Sequence, residues 1–162
     1  MMLLVLKLLV LLGLANGLPL LVTMFWPGAP LGRPLDGGRI LADGRPLFGP
    51  HKTLRGTLVM VAAPALGAPL LGLSVALGAI VGGLALVGDL ATSFIKRRRG
   101  LAAGGAAPGF DQLLESLLPL LAAHWLAGLP WSGVTLGVVL FILADLGFSR
   151  LAWRMGYRQH PW

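Results

Sequence analysis

Residues 76–99 read ALGAIVGGLALVGDLATSFIKRRR, and this stretch decides the class of fold. Residues 76–95 contain a single charged side chain, Asp89, and a helix needs about 20 apolar residues to cross a bilayer. The basic run Lys96–Arg99 then follows, as is typical of the cytoplasmic end of a membrane helix. The pattern therefore predicts a membrane-spanning helix with one buried acid near its inner end.

The composition extends this prediction to the whole chain of 162 residues. Hydrophobic residues make up 56% and charged residues 12%, and the mean hydropathy is +0.83. Soluble domains carry about 25% charged residues, so a soluble enzyme is excluded, as is a disordered chain. Cysteine is absent, which excludes a disulfide framework, a thiolate metal site and a cysteine nucleophile.

Working outward, the apolar runs predict an all-α membrane protein with five transmembrane helices in a single domain, residues 1–162. The predicted helices are residues 3–26, 57–74, 76–95, 112–129 and 133–149, with loops at 27–56 and 96–111. The first run has an alternative interpretation as a signal peptide. Lys7 lies inside the run instead of before it, which favours an uncleaved helix.

The positive charges predict the orientation. Twelve of the 13 Lys and Arg residues lie in 27–56, 96–99 and 150–162, which five spans place on one side. Cytoplasmic loops are rich in Lys and Arg, so we expect an external N-terminus, a cytoplasmic C-terminus and a long cytoplasmic loop 27–56. The net charge of +7 would suggest nucleic acid in a soluble protein, but here the loops account for it, and no nucleic-acid partner is expected.

Acidic residues near the inner membrane face are the candidate functional groups. Asp89, Ser93 and Lys96 share one face of the third helix, and Asp111 and Glu115 share one face of the fourth. Ionisable groups inside a membrane are costly and usually functional. Carboxylates that hold Mg²⁺ beside Lys and Arg side chains are what phosphoryl and nucleotidyl transfer require.

Each of these residues also has a structural interpretation. Asp89 pairs with Lys96 or an Arg, Asp111 caps a helix, and Glu115 complements the helix dipole. Asp145 pairs with Arg150 or Arg154 in the same way. The chain contains no Walker A, HExxH or GxSxG motif, so these common enzyme classes receive no support.

Four motifs occur in an order that resembles a known family. They are HKTLRG (51–56), GDLATSFIKR (88–97), PGFDQ (108–112) and, more weakly, LANGLP (14–19). Together they resemble the integral-membrane CTP:phosphatidate cytidylyltransferase superfamily, in particular its CDP-archaeol synthase branch. The resemblance covers residues 16–119, about two thirds of the chain.

The resemblance implies a multi-pass enzyme of the cell membrane with its active site on the cytoplasmic face. It would convert CTP and a membrane lipid phosphate to CDP-lipid and pyrophosphate with Mg²⁺, the lipid being phosphatidate or an isoprenoid ether-lipid phosphate. The residues implied as catalytic are Asp89, Lys96 and Asp111, with Asp89 and Asp111 as metal ligands. The residues implied to bind CTP or phosphate are Lys52, Thr53, Arg55, Ser93 and Arg97, and, more weakly, Asn16.

One departure from the family pattern concerns the metal site. The second carboxylate of the D-Q-x-D motif is replaced by Leu114, and Glu115 follows one position later. We expect Glu115 to serve as the third metal ligand, since i+4 faces roughly the direction of i+3. The alternative is a non-catalytic relative that binds lipid phosphate or acts as a scaffold; a small transporter is less consistent with the few polar residues at mid-membrane. A homodimer through small residues such as Gly78, Gly82 and Gly83 is also left open.

Overall fold

The computed structural model describes residues 1–26, 28, 30–102, 105 and 107–155. Within these ranges the chain forms five α-helices and no strand. They are α1 (Met2–Phe25), α2 (Leu54–Gly67), α3 (Val75–Arg98), α4 (Phe110–Ala127) and α5 (Trp131–Arg154), with one 3₁₀ turn (Pro69–Leu71) after α2. The predicted all-α fold with five helices is confirmed.

Four helical segments of the described chain are long and apolar enough to cross a membrane. They are Met2–Phe25, Leu54–Leu71, Val75–Arg98 and Trp131–Arg154. Helix α4 falls outside this set, because its 18 residues include Asp111, Glu115 and His124. The chain is therefore a multi-pass membrane protein, while a membrane crossing by α4 and the orientation remain predictions.

Helix α3 lies at the centre of the bundle and packs against α1, α2 and α4, while α5 packs against α4 and α1. The core is a layer of buried apolar side chains to which all five helices contribute. It includes Leu8, Leu11 and Leu12 of α1, Val81 and Ala85 of α3, and Leu120 and Ala123 of α4, with Phe141 of α5 nearly as buried. This packing fixes the axial positions of the polar residues at the end of the bundle where α3 ends and α4 begins.

The helix ends differ from the predicted bounds for local reasons. Helix α2 begins at Leu54 instead of 57, because the hydroxyl of Thr53 accepts a hydrogen bond from the N–H of Gly56 and caps the helix. Helix α3 continues to Arg98, where its basic last turn complements the helix dipole. Helix α5 runs to Arg154, and the predicted basic tail beyond residue 155 lies outside the described residues.

Helices α2 and α3 approach each other closely at two glycines. A Cβ atom at Gly78 would lie 2.3 Å from the carbonyl oxygen of Pro64, and one at Gly82 would lie 2.5 Å from that of Met60. These two glycines therefore pack within the chain. At Gly83 a Cβ atom would meet nothing within 4 Å among the described residues, so this glycine is not required for helix contact.

The loop before α2 is described at residues 28 and 30–53, and it keeps the predicted label loop 27–56. This loop is organised around the carboxylate of Asp36. It accepts hydrogen bonds from the backbone N–H groups of Gly38 (2.9 Å), Phe48 (2.9 Å) and Gly49 (3.2 Å). Burial by itself raises the pKa of Asp36, but these backbone donors outweigh it, so the pKa lies below the ordinary carboxyl value.

Arg98 at the end of α3 binds the same loop through an ion pair and hydrogen bonds. The guanidinium of Arg98 pairs with Asp43 at 2.5 Å, donates to the carbonyl oxygens of Arg45 and Pro46, and lies over the ring of Phe94. In return, the side chain of Arg45 donates to the carbonyl oxygen of Arg98. The loop therefore has a defined position beside the candidate site.

We expect Asp36→Ala to loosen the loop 27–56 at neutral pH. Because the folded pKa is lowered, the stabilising contribution of Asp36 is complete above the ordinary carboxyl pKa of about 3.9 and is lost as pH falls through the folded value. The rate of limited proteolysis within the loop should therefore rise for Asp36→Ala at pH 7, and the difference from wild type should shrink towards pH 3. An equal cleavage rate at pH 7 would contradict this role.

Candidate active site

The first pair of opposite charges joins the loop 27–56 to α3. The ammonium group of Lys52 lies 2.5 Å from a carboxylate oxygen of Asp89, and both side chains are largely shielded from solvent. Lys52 stands one residue before the cap of α2, so the N-terminal cap of that helix also sets the position of the lysine. Asp89 therefore pairs with Lys52 and not, as the structural interpretation supposed, with Lys96.

The second pair joins α3 to α4. The ammonium group of Lys96 lies 2.8 Å from Oδ2 of Asp111, with side-chain exposures of 13% and 15%. The same oxygen accepts a hydrogen bond from the backbone N–H of Ala107 at 3.1 Å. The other oxygen, Oδ1, is buried without a hydrogen-bond partner in the described part of the chain. A buried carboxylate oxygen left without a donor is available to a ligand.

Gly88 brings the two charged pairs together. A Cβ atom at this position would lie 2.5 Å from the carbonyl oxygen of Leu114 and 2.8 Å from the backbone nitrogen of Glu115. Only a glycine allows the backbone of α4 to approach α3 this closely. As a result Glu115 is within electrostatic range of Asp89, Lys52 and Asp111.

Two further predicted residues lie on the same part of α3. Ser93 and Arg97 are almost fully buried, with exposures of 3% and 4%. The guanidinium of Arg97 is close enough to Asp111 for their charges to interact. The candidate site therefore draws on three elements: the loop before α2, the helix α3 and the start of α4. Its residues are Lys52 of the loop, Asp89, Ser93, Lys96 and Arg97 of α3, and Asp111 and Glu115 of α4.

Three of the predicted binding residues are engaged elsewhere. The hydroxyl of Thr53 caps α2, and the guanidinium of Arg55 donates to the carbonyl oxygen of Trp26 at the end of α1. Asn16 donates to the carbonyl oxygen of Leu12 in its own helix and lines a cavity of about 290 Å³ between α1 and α5. In this structure the contacts of Thr53 and Arg55 position the ends of helices, and their roles in binding remain predictions.

The carboxylates of the candidate site have the chemistry of Mg²⁺ ligands but not the arrangement of a closed metal site. Asp89, Asp111 and Glu115 offer hard oxygen ligands, and the orphaned Oδ1 atom of Asp111 is suited to a cation. In the described ranges, however, no three His, Cys, Asp or Glu side chains lie close enough to hold a metal ion together. Mg²⁺ is usually held by one or two carboxylates and completed by substrate phosphates, so the residues fit a shared site better than a closed protein cage.

Sequence reasoning missed the connection made by Asp145 of α5. Its Oδ2 atom accepts a hydrogen bond of 2.8 Å from Nε2 of Gln112, the residue after Asp111. Across the described residues no ion pair joins Asp145 to Arg150 or Arg154, so the predicted pair is not formed. The sequence offered two signals for this contact: Asp145 is the one acid in the last apolar run, and Gln112 is the amide of the D-Q motif.

The fold and the site define a class of protein: a multi-pass membrane protein whose polar site, at one end of the bundle, combines carboxylates with lysine and arginine side chains. A profile described as CarS-like, CDP-archaeol synthase, matches residues 69–162. The chain therefore belongs to the CDP-archaeol synthase family.

Individual relatives agree with this assignment. The CDP-archaeol synthase of Thermococcus kodakarensis is 36% identical over 147 residues, covering 81% of this chain and 83% of that protein. The CDP-archaeol synthase of Halobacterium salinarum is 37% identical over 155 residues, covering 81% and 84%. A solved structure of an intramembrane enzyme for archaeal membrane lipid biosynthesis matches with a TM-score of 0.71 and 31% identity, covering 87% of this chain and 89% of that one. The resemblance seen in the motifs is confirmed.

Proposed function

We propose that the protein transfers a cytidylyl group from CTP to the phosphate of an isoprenoid ether lipid, giving CDP-lipid and pyrophosphate. The observation that carries this proposal is the pair Lys96–Asp111, in which one carboxylate oxygen holds the lysine and the other is buried without a donor. Family membership supports the reaction and the lipid class, and it does not favour a non-catalytic scaffold.

The residues divide into two roles. Lys52, Lys96 and Arg97 would bind the phosphate oxygens of CTP and hold the departing pyrophosphate, since Lys52 lies beside Asp89 and the other two lie beside Asp111. Asp89 and Asp111 hold the two ammonium groups in place before substrate arrives. Catalysis then depends on orientation and on stabilisation of charge, and the lipid phosphate needs no general base because it is already ionised at neutral pH.

Mg²⁺ would be held by Asp89 and Asp111 and completed by substrate phosphates, because the described residues form no cage of three carboxylates; Glu115 would lie beside them as a third carboxylate. When bound, the cation supplies charge neutralisation at the reacting phosphate. The carboxylates of Asp89, Asp111 and Glu115 offset the positive charges of Lys52, Lys96 and Arg97, so the site needs an added cation to attract a triphosphate. Both charged pairs lie at the end of the bundle that carries the basic loops, so we place the active site on the cytoplasmic face.

The test supplies purified protein with Mg²⁺, labelled CTP and one of two acceptors, an isoprenoid ether-lipid phosphate or phosphatidate. We expect labelled lipid with the ether acceptor. Label only with phosphatidate would overturn the assigned lipid class. The assigned reaction would be overturned if the folded protein neither bound CTP nor labelled either lipid.

Glu115→Gln tests the third carboxylate. If Glu115 replaces the family acid missing at Leu114, removal of its charge should lower turnover by about 10-fold or more and raise the Mg²⁺ concentration needed for half-maximal activity. Glu115→Asp, which keeps the charge, should retain more activity than the glutamine variant. An unchanged Mg²⁺ dependence in Glu115→Gln would show that Asp89 and Asp111 suffice.

A further inference from the structure

Asp145 is an acid of α5 for which the chemistry of the site has no direct use. It is partly buried and lines the cavity between α1 and α5 together with apolar side chains such as Leu9, Phe141 and Phe148. An acidic group within a membrane helix is costly and is kept only when it has a partner or a role. The hydrogen bond from Gln112 identifies the partner.

Gln112 uses both ends of its amide group. Its Nε2 atom donates to Asp145 at 2.8 Å, and its Oε1 atom accepts from the backbone N–H of Gly109 at 2.8 Å. Gln112 is 8% exposed, so water has little access to replace either bond. The acceptor Asp145 therefore selects the orientation of the amide in which its oxygen points to Gly109.

The bond to Gly109 determines where α4 begins. Gly109 has a φ of +84°, a conformation that favours glycine, and its N–H is the group that Gln112 caps. Asp111 follows two residues later and is itself tied to the N–H of Ala107. Any change in the first turn of α4 would therefore move Oδ1 of Asp111, the buried atom without a donor.

We infer that Asp145 is a positioning residue for the active site: through Gln112 it fixes the first turn of α4 and thereby the direction of Asp111. This inference rests on the proposed function only for its effect on turnover. The two hydrogen bonds that connect Asp145 through Gln112 to the N–H of Gly109 can be tested without substrate or metal.

Two substitutions separate the hydrogen bond from the charge. Asp145→Asn retains an oxygen that accepts from Gln112, whereas Asp145→Leu removes it. We expect Asp145→Leu to lower kcat about 10-fold or more, with a smaller change in the KM for lipid, and Asp145→Asn to keep most of the wild-type turnover. Equal losses of turnover in the two variants would overturn positioning through Gln112. Both variants lose the negative charge, but only Asp145→Leu loses the oxygen that accepts from Gln112. Wild-type turnover in Asp145→Leu would overturn the inference altogether.

A double-mutant cycle and hydrogen exchange complete the test. If Asp145 acts through Gln112, then Gln112→Ala should match Asp145→Leu, and the double variant should be no worse than either; additive losses would contradict the shared path. Hydrogen–deuterium exchange at the backbone amide of Gly109 should be faster in Asp145→Leu than in Asp145→Asn. If the wild type makes no CDP-lipid, the proposed function fails, while the exchange rates still decide whether Asp145 fixes the cap.

Discussion

Asp111→Asn should reduce CDP-lipid formation by a factor on the order of 100 or more, the scale seen when a charge-stabilising group is removed from an active site. The asparagine oxygen can replace Oδ2 and accept from Ala107 and Lys96, so the fold around α4 should survive. The amide nitrogen would then take the place of the buried Oδ1 atom. A nitrogen that carries two hydrogens cannot bind a cation, so the loss should appear in turnover and in Mg²⁺ dependence.

Asp43→Asn is the matched control for this substitution. Asp43 also forms an ion pair, with Arg98, but its side chain is 40% exposed, against 15% for Asp111. The same chemical change should therefore leave turnover near the wild-type value. If Asp111→Asn keeps more than about a tenth of the activity, a difference of less than about 1.4 kcal/mol in the barrier, Asp111 is not a metal ligand in the rate-limiting step.

Gly88→Ala should have the second large effect, because it acts on the contact that assembles the site. The added methyl carbon would lie 2.5 Å and 2.6 Å from the carbonyl oxygen and carbon of Leu114. These are backbone atoms and cannot rotate away, so α3 and α4 must separate. We expect a lower Tm and a loss of activity of at least about 10-fold, since small displacements of a catalytic group cost that much or more.

Gly83→Ala is the control on the same helix. A methyl group there meets no described atom within 4 Å, and alanine favours a helix more than glycine does. Gly83→Ala should therefore keep both the Tm and the activity, or raise the Tm slightly. If Gly88→Ala behaves like Gly83→Ala, the close approach of α3 and α4 is not what brings Glu115 beside Asp89.

The fold was predictable because its strongest determinant is local. Predominantly apolar runs of about 20 residues mark most of the helices, and clustered Lys and Arg residues mark the longer connections between them. The predicted ends of α3 and α5 were wrong because the basic residues that follow the apolar runs were assigned to loops. Arg98, Arg150 and Arg154 all lie in helices, because the backbone hydrogen bonds of a helix continue beyond its apolar part.

The motifs predicted which residues form the site, but they did not predict which of those residues pair with one another. Lys52 and Asp89 were both expected near substrate, yet their ion pair depends on how the loop 27–56 folds back over α3. The contact of Gly88 with Leu114 depends on the rotation of two helices about their axes. A single sequence carries no direct record of such rotations, and for the same reason the bond between Gln112 and Asp145 was missed.

The most direct test of the proposed reaction follows the position of the label in CTP. With CTP labelled at the α-phosphate, we expect label in the lipid product, and with CTP labelled at the γ-phosphate, we expect label in pyrophosphate and none in lipid. Pyrophosphate and CDP-lipid should form in equal amounts. Transfer of the γ-label to lipid would mean phosphorylation instead of cytidylyl transfer, and absence of α-label from every lipid supplied would contradict the proposed activity.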